Sequence, residues 1–544
     1  MGAMPDIQTV HVHYIISFMS GTLVSSLRSA AKGTALVYAG IVIGQAVWFA
    51  ARLLIVGNLS KEEIGIYSLA LAVLSVVSLV AGLGLWDAST RYISIFSGQG
   101  KGGEVSSVQQ SSLLIGAVSG AVACAVLFLS SEILSQYVFY KPGLAAPLRV
   151  LSLCIPALVM VLVLASVLRG RGMIGPRVYF WDFGQPLCYL VFLGLVFLLG
   201  LPFIHVMYAY VLSVIAAFLL IAYYGYSKIG INPLSFGGGS HYVKELLRFS
   251  VPVLSIEVMF LMFRWADTLM LGRYGSAEDV GVYSISVSLA VFLSMPISAL
   301  ESAFMPIAGE LYATQRHSDL ARTYRALTKW TFSATLPVFF ILFFFPEMTI
   351  TFLFGERFGD SVLPLRILSV GYLFYTFMGT NSMLLLVMGL SSAVVRVSAL
   401  GTLLNVLLNY TLIKHAGLGI KGAAISSMVS FLAIGAGYSY VLYRRSGMHP
   451  IASGYLKPVI GSAVIGAILY FVAKSLPLHF WMLPLYFVLY LLGYMASLFV
   501  TRSLSEEDVF FFAAILKRVG VDPEVTRKVI GKIYKGNLEK IDFH

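Results

Sequence analysis

Long apolar runs, each closed by a charged residue, a glycine or a proline, dominate the chain from residue 34 onward. A helix rises about 1.5 Å per residue, so a run of about twenty residues crosses a hydrocarbon layer of about 30 Å. The pattern predicts fourteen such helices, beginning near Thr34, Ile64, Ser107, Leu148, Val178, Ile204, Ser250, Val280, Trp330, Ser361, Val394, Ile420, Leu456 and Phe480. Ahead of them, a short apolar stretch at Tyr14 to Phe18 is followed, not preceded, by Arg28 and Lys32. That order, with no small-residue cleavage pattern, predicts an amphipathic lead-in rather than a secretory signal. Behind them, the tail opens with Ser505 and acidic residues and ends basic, as capped helices do.

Two stretches return at nearly one offset. Glu63-Ile-Gly-Ile-Tyr-Ser-Leu is matched by Asp279-Val-Gly-Val-Tyr-Ser-Ile at an offset of 216, and Pro147-Leu-Arg-Val-Leu-Ser-Leu by Pro364-Leu-Arg-Ile-Leu-Ser-Val at 217. Both carry charged or turn-forming residues in register, which apolar composition alone does not produce, so they mark an internal duplication. Each copy holds six spans, and an even number of crossings returns the chain to the side it left. The copies are therefore parallel repeats related by an axis along the membrane normal. The expected fold is an all-α polytopic membrane protein with two six-helix lobes and two C-terminal helices. Its parts are a cytoplasmic N-terminal segment (1–33), an N-lobe (34–228), a cytoplasmic linker (229–247), a C-lobe (248–445), the last two spans (446–502) and a cytoplasmic helical tail (503–544).

Composition removes the soluble alternatives. Only 11% of residues are charged and 58% are hydrophobic, against about 25% charged in a soluble domain, so lipid must cover the excess apolar surface. Cys124, Cys154 and Cys188 all sit in apolar runs and read as small buried hydrophobes, not as a disulfide framework or a metal site. His11 and His13 lack a Cys or acidic partner nearby, which argues against a metal site there as well. The charge balance of +12 orients the chain. With both termini inside, the cytoplasmic N-terminus and loops hold eighteen Lys and Arg against nine on the opposite side, and the tail adds eight. Cytoplasmic loops are enriched in these residues. The expected location is the cell membrane, multi-pass, with both termini cytoplasmic.

Five segments then carry a family likeness: Arg52 to Ile66 (RLLIVGNLSKEEIGI), Gly82 to Tyr92 (GLGLWDASTRY), Trp265 to Tyr283 (WADTLMLGRYGSAEDVGVY), Leu353 to Leu368 (LFGERFGDSVLPLRIL) and Leu404 to Ser427 (LNVLLNYTLIKHAGLGIKGAAISS). Over roughly residues 30 to 505 the chain resembles the polysaccharide-biosynthesis flippases of the Wzx type, within the multidrug/oligosaccharidyl-lipid/polysaccharide exporter superfamily. The resemblance implies fourteen helices in two lobes that alternate access, and movement of a polyprenyl phosphate or pyrophosphate carrying an oligosaccharide from the inner to the outer leaflet, without chemistry on it. Membrane lipids and other polysaccharide-assembly proteins are the implied partners; nucleic acid is not.

Charges inside the spans are the candidate chemistry. Arg52, Glu257, Arg264 and Asp267 would each cost about 2.5 to 3.5 kcal/mol facing lipid at the bilayer centre, so they must be paired or wet. Glu257, Arg264 and Asp267 recur at helical spacing on one face. Counting back five residues from Gly57 and Gly272 lands on Arg52 and Asp267, equivalent places of opposite charge, which suggests a pair that helps hold the outer side closed; local pairing with no gating role is the plainer alternative. An anionic phosphate suits arginine, with its permanent charge and forked donors. Arg52 and Arg264 are the in-span candidates. Arg91, Arg169 and Arg171 lie near the cytoplasmic mouth, where topology alone also explains them. Asp182, Gln185, Asn405 and Asn409 either bind sugar hydroxyls or join helices by hydrogen bonds.

No Gly-rich phosphate loop or Walker-type Gly-Lys-Ser precedes a helix, so no ATPase and no cofactor is expected. Asp267 and Glu257 are the gating or ion-coupling candidates, with H⁺ and Na⁺ as the open choices. A membrane glycosyltransferase or polymerase would need a large outer loop. The longest here, near Ser130 to Pro147, holds only Glu132 and Lys141 as charges, and the chain is not read as an enzyme. Two other functions share the superfamily: a multidrug/cation antiporter, whose cargo calls for acidic cavities, and a lipid-linked peptidoglycan-precursor flippase.

Overall fold

A computed structural model describes residues 40, 42–230, 242–449, 456–475 and 482–500. The lead-in expected at 1–33, the tail expected at 503–544, His11, His13 and most of the linker expected at 229–247 lie outside the described residues. Among those described, every regular element is a helix. In chain order the membrane helices are α1 (Val42–Asn58), α2 (Lys61–Gly98), α3 (Gly102–Val138), α4 (Pro142–Ser152 with Ile155–Gly170), α5 (Gly175–Leu198), α6 (Ile204–Ile229), α7 (Val243–Tyr274), α8 (Ala277–Ser298), α9 (His317–Phe344), α10 (Glu356–Val387), α11 (Ser391–His415) and α12 (Gly419–Ser446), with α13 (Leu456–Ser475) and α14 (Leu483–Val500) last. Among the described residues ten of them, or eleven with the bent α4, are long and apolar enough to cross a membrane, while α1, α13 and α14 hold shorter apolar helices; their order follows that of the predicted spans, the first of which begins ahead of the described residues. The chain is an all-helical, multi-pass membrane protein.

By contact the chain forms two compact units. The first comprises Met1–Asn58, Leu74–Ser135 and Pro142–Glu257; the second comprises Leu59–Val73, Gln136–Lys141 and Val258–His544. The second unit thus takes in the start of α2 and the α3–α4 connection, both from the first repeat.

In lipid, helices gain little by hiding apolar surface from one another, so close approach at small residues and polar contacts joins them. In the first unit Gly116 and Gly120 of α3 lie against Val163 and Pro156 of α4. Ser89 of α2 donates to Ser112 of α3 at 2.8 Å, and Trp48 of α1 packs on Tyr189 of α5 and Tyr210 of α6 at ring distances of 5.4 and 6.3 Å. In the second unit Tyr324 of α9 donates to Asn381 of α10, whose amide donates in turn to Ser439 of α12 at 2.7 Å. The last pair docks on α9 through a stack of Phe340 on Tyr490, 4.1 Å between ring centres.

The duplication acquires a physical meaning at the starts of α2 and α8. Ser60 and Glu63 exchange hydrogen bonds, Ser60 N to Oε2 at 2.8 Å and Glu63 N to Oγ at 3.2 Å. Ser276 and Asp279, at the matching positions 216 later, do the same at 2.8 and 2.9 Å. Each is a capping box, which satisfies two of the free N–H groups at a helix start. One turn on, the repeat glycines meet. A Cβ on Gly65 would strike the Ala277 carbonyl, and a Cβ on Gly281 would strike the Lys61 carbonyl. Lys61 and Ala277 are themselves one offset apart, so the contact is two-fold. Beside it Lys61 Nζ lies 2.9 Å from Glu278 and 3.8 Å from Asp360.

Replacing glycine by alanine inside a helix ordinarily adds stability, by roughly 0.5–1 kcal/mol. At Gly65 and Gly281 the methyl has no room, and overpacking costs about 1–3 kcal/mol. Gly65→Ala and Gly281→Ala are each expected to lower the thermal midpoint in detergent. Their effects should not add in the double variant, since both break one contact. Gly57, with no foreign atom within 4 Å of a Cβ, is the control. Equal midpoints for all three variants would show that the close approach does not matter.

Candidate functional site

Asp267 lies on α7 and is 7% exposed. A carboxylate at that depth needs donors, and the second unit supplies four. Tyr283 of α8 and Ser427 of α12 each donate to Oδ2 at 2.5 Å. Asn409 of α11 donates to Oδ1 at 2.7 Å and Asn405, one turn earlier, at 3.3 Å. Asn409 also donates to Asn405 Oδ1 at 3.1 Å. The spacing of four puts both amides on one face of α11, and the helix widens to π turns over Tyr410–His415, directly after Asn409. Such widening clusters at functional sites because it re-aims side chains. Asn409 Oδ1 is buried with no hydrogen-bond partner among the described residues. None of the ion pairs seen among the described residues of this unit involves Asp267. The result is a buried carboxylate ringed by neutral oxygens and amides, a set that suits a proton or a hard cation, which prefers oxygen ligands.

Arg264, one turn before Asp267 on α7, is exposed and lies over Trp265 at 5.9 Å. Tyr372 of α10 is within electrostatic reach of both Arg264 and Asp267. Helix α7 therefore carries a cation and an anion in different surroundings.

In the first unit a separate network surrounds Glu257. Trp86 of α2 donates its indole N–H to Oε1 at 2.5 Å, and the other oxygen, Oε2, is buried without a hydrogen-bond partner among the described residues. Next to Trp86, Arg169 of α4 pairs with Asp87 at 3.2 Å and donates to Thr90 at 3.1 Å. Arg171 donates to Gln109 at 2.9 Å. Arg91 lies over Phe249 at 4.6 Å. Tyr242, ahead of α7, donates to Glu104, and that bond holds its phenol above the ordinary value.

Of the residues singled out by sequence, Asp267, Asn405 and Asn409 come together in one cluster. Gln185 donates instead to Ser213 of α6 at 2.9 Å, and Asp182 lies 3.9 Å from Arg177. Arg52 is half-buried on α1 in the first unit. Sequence reasoning missed Tyr283, Ser427 and Trp86. The first two ended quoted motifs, and a span carboxylate's need for donors was the signal that pointed to them. A tryptophan N–H near a glutamate carried a similar signal, because a buried indole seeks an acceptor.

Residues 30–312 match the family described as polysaccharide biosynthesis protein, and residues 252–411 match a second family, MatE. Among curated proteins the chain is 25% identical over 213 residues to the "Probable multidrug resistance protein NorM" of Thermotoga maritima, covering 37% of this chain and 45% of that protein. The chain thus spans about half the length of that relative. It is 22% identical over 429 residues to an uncharacterized membrane protein of Methanocaldococcus jannaschii, covering 74% and 82%. Among solved structures it is similar to the lipid II flippase MurJ in an inward closed conformation, with a TM-score of 0.70 at 15% identity over 86% of this chain and 98% of that one. It is also similar to an inward-facing MATE family transporter of the MOP superfamily, with a TM-score of 0.66 at 18% identity over 76% and 98%. At these identities the likeness is one of fold.

Hydrogen bonds to a buried charge contribute about 1.5–3 kcal/mol each. Asn409→Ala, which removes the shorter amide bond and the link to Asn405, is expected to lower the thermal midpoint more than Asn405→Ala. Asp267→Ala, which orphans four donors at once, should lower it most. Midpoints that do not follow this order would show that the cluster does not hold the four helices together.

Proposed function

The chain belongs to the polysaccharide biosynthesis protein family, and from that premise we propose that it is a flippase. It carries a lipid phosphate or pyrophosphate bearing an oligosaccharide from the inner to the outer leaflet, by alternating access of its two repeats, with no nucleotide hydrolysis and no covalent step. The observation that carries this reading is the family match together with arginines inside the spans, Arg52 on α1 and Arg264 on α7. A permanent cation inside the membrane is costly facing lipid, and an arginine's forked donors suit the cargo's phosphate. Arg91 serves the cytoplasmic mouth, while Asp182 and Gln185 contribute polar groups on α5.

The MatE match over 252–411 and the multidrug name of one relative favour the second reading, a cation exporter. That cargo calls for open acids. Asp267 has both oxygens engaged by internal donors, so a bulky cation meets no free carboxylate oxygen there, whereas a proton or a bare ion can exchange with those donors. The fold shared with a lipid II flippase brings in a peptidoglycan precursor as a third cargo, separated from the first by its headgroup alone.

Coupling is proposed at Asp267, among Asn405, Asn409 and Ser427, with Na⁺ or H⁺ as the ion. Glu257 acts as a gate through Trp86. The protein sits in the cell membrane with both termini cytoplasmic, working beside other polysaccharide-assembly proteins.

In vesicles the purified protein is expected to move a polyprenyl-phosphate-linked oligosaccharide between leaflets without ATP. Arg264→Ala should slow it about tenfold or more at normal expression, the loss expected for one charge-assisted bond. Asp267→Asn should remove dependence on the ion gradient. Strict ATP dependence with no added partner, or faster export of a cationic drug than of the lipid, would refute the reading.

Orientation has its own test. Single cysteines at Gly102 and Gly143, in a background lacking Cys124, Cys154 and Cys188, should label from opposite sides, Gly143 from outside. Labelling from one side sinks the topology.

A further inference from the structure

Crossing parity puts the α1–α2, α3–α4, α7–α8, α9–α10 and α11–α12 connections on one membrane face. On the topology proposed above this is the outer face, where Lys and Arg are scarce. Three of them nonetheless converge there, all within the second unit. Lys141 comes from the α3–α4 connection, Arg273 from the last turn of α7 and Lys414 from the last turn of α11.

The plain explanation is that cations gather at the negative ends of helices. Lys141 already fills that role for α7. Its Nζ donates to the Gly272 carbonyl at 2.5 Å and the Gly275 carbonyl at 2.9 Å, and burial pushes its ammonium below the ordinary value against the opposing pull of Asp279. Arg273 is surplus to it. Its guanidinium lies over Tyr140 at 4.4 Å and over Tyr274 at 5.3 Å. Lys414 lies over Tyr410 at 4.7 Å and over Tyr274 at 5.6 Å, and donates to the Tyr410 hydroxyl at 2.9 Å. Among the described residues neither has a carboxylate at ion-pair distance. Glu278, the acid nearest Arg273 in sequence, pairs with Lys61 at 2.9 Å, and Asp279 beside it is engaged in its capping box.

A second, independent observation concerns the backbone. Tyr140 has φ 55°, the left-handed region that a bulky side chain rarely adopts. Strain of this kind costs about 1–3 kcal/mol and collects where a structure places a group for use. Here it sets the Tyr140 ring under Arg273. Tyrosines at a membrane interface lie at headgroup depth. Two unopposed cations over tyrosine faces at that depth match a group of about two negative charges. A phosphate monoester has that charge near neutral pH and a pyrophosphate diester carries a similar one; an ordinary phospholipid phosphodiester carries one.

We propose that Tyr140, Arg273, Tyr274, Tyr410 and Lys414 form a phosphate platform at the headgroup level of this face, which takes the pyrophosphate of the sugar-loaded lipid carrier or the monophosphate of the unloaded one. The platform rests on the flippase reading and adds a station to it. Residues from the α3–α4 connection, in the first repeat, and from α7 and α11, in the second, build it jointly.

The test is equilibrium binding by the full-length protein in neutral phosphatidylcholine nanodiscs, with a polyprenyl monophosphate as the probe. The uncharged polyprenol and dioleoyl phosphatidylglycerol are the comparisons. The double variant Arg273→Gln with Lys414→Gln is expected to bind the monophosphate about tenfold or more weakly and the polyprenol unchanged. Arg273→Lys with Lys414→Arg, which keeps both charges, should retain most of the affinity. Equal binding by wild type and the Gln variant overturns the proposal. So does displacement of the monophosphate by phosphatidylglycerol at equal concentration, which would mark a site for ordinary anionic lipid. Should the Gln variant fail to fold, a photoreactive monophosphate on the wild type decides: labelling of residues 271–275 or 410–415 supports the platform, and labelling confined elsewhere overturns it. No readout here uses transport. Binding without leaflet transfer would refute the flippase reading and leave the platform; transfer with binding untouched by the Gln variant would do the reverse.

Discussion

Inside hydrocarbon a polar group has no water to turn to, and that constraint places the polar side chains of these helices. The simplest solution is local. Ser112, Thr328, Thr331, Thr335 and Ser369 each donate to the carbonyl four residues back, so a hydroxyl is satisfied without leaving its own helix. Amides and carboxylates are too demanding for that. Asn381 needs Tyr324 and Ser439, and Asp267 needs donors from three other helices. The residues hardest to satisfy therefore decide which helices lie side by side, and the apolar residues fill the space that remains.

The two repeats share their helix starts and differ in their chemistry. Capping boxes, repeat glycines and the tyrosines at 67 and 283 return at one offset. The carboxylate does not: counted back from the matching glycines, Gly57 and Gly272, the first copy has Arg52 where the second has Asp267. On the function proposed above, a duplicated frame with Arg52 in one half and Asp267 in the other suits a protein whose halves respond to different charges.

Hydropathy revealed the spans because each is longer than any soluble core helix needs, and the duplication was visible because its charged and turn residues stayed in register. What hydropathy could not register were departures from a straight rod. One span was expected to begin near Leu148; the helix instead starts at Pro142 and bends by 45° where Ser152 gives way to Ile155. Pro156 accounts for this, since it cannot donate to the Ser152 carbonyl. In α2, Leu83 and Gly84 both take positive φ, 50° and 67°, and interrupt what reads as one run. The candidate site was half legible. Asp267, Asn405 and Asn409 stood out as polar residues in apolar surroundings, but their meeting depends on how α7 and α11 pack, and Ser427 and Tyr283 look like ordinary small or aromatic residues until α12 and α8 bring them in. Arg273 and Lys414 were counted only as loop charges, because nothing in one dimension shows two distant helix ends sharing Tyr274.

The glycine contact at the starts of α2 and α8 has a different implication. Gly65 touches Ala277 as Gly281 touches Lys61, so each surface meets its own copy, which is the defining geometry of an isologous dimer. A single six-helix unit already held every atom that such a contact requires. The contact therefore owes nothing to the chain that joins the two repeats: two separate copies of either surface would present the same complementary glycine and carbonyl. A substitution carried by one repeat alone, such as Asp267, leaves this contact as it is, because none of the atoms that meet at Gly65 and Gly281 belongs to it.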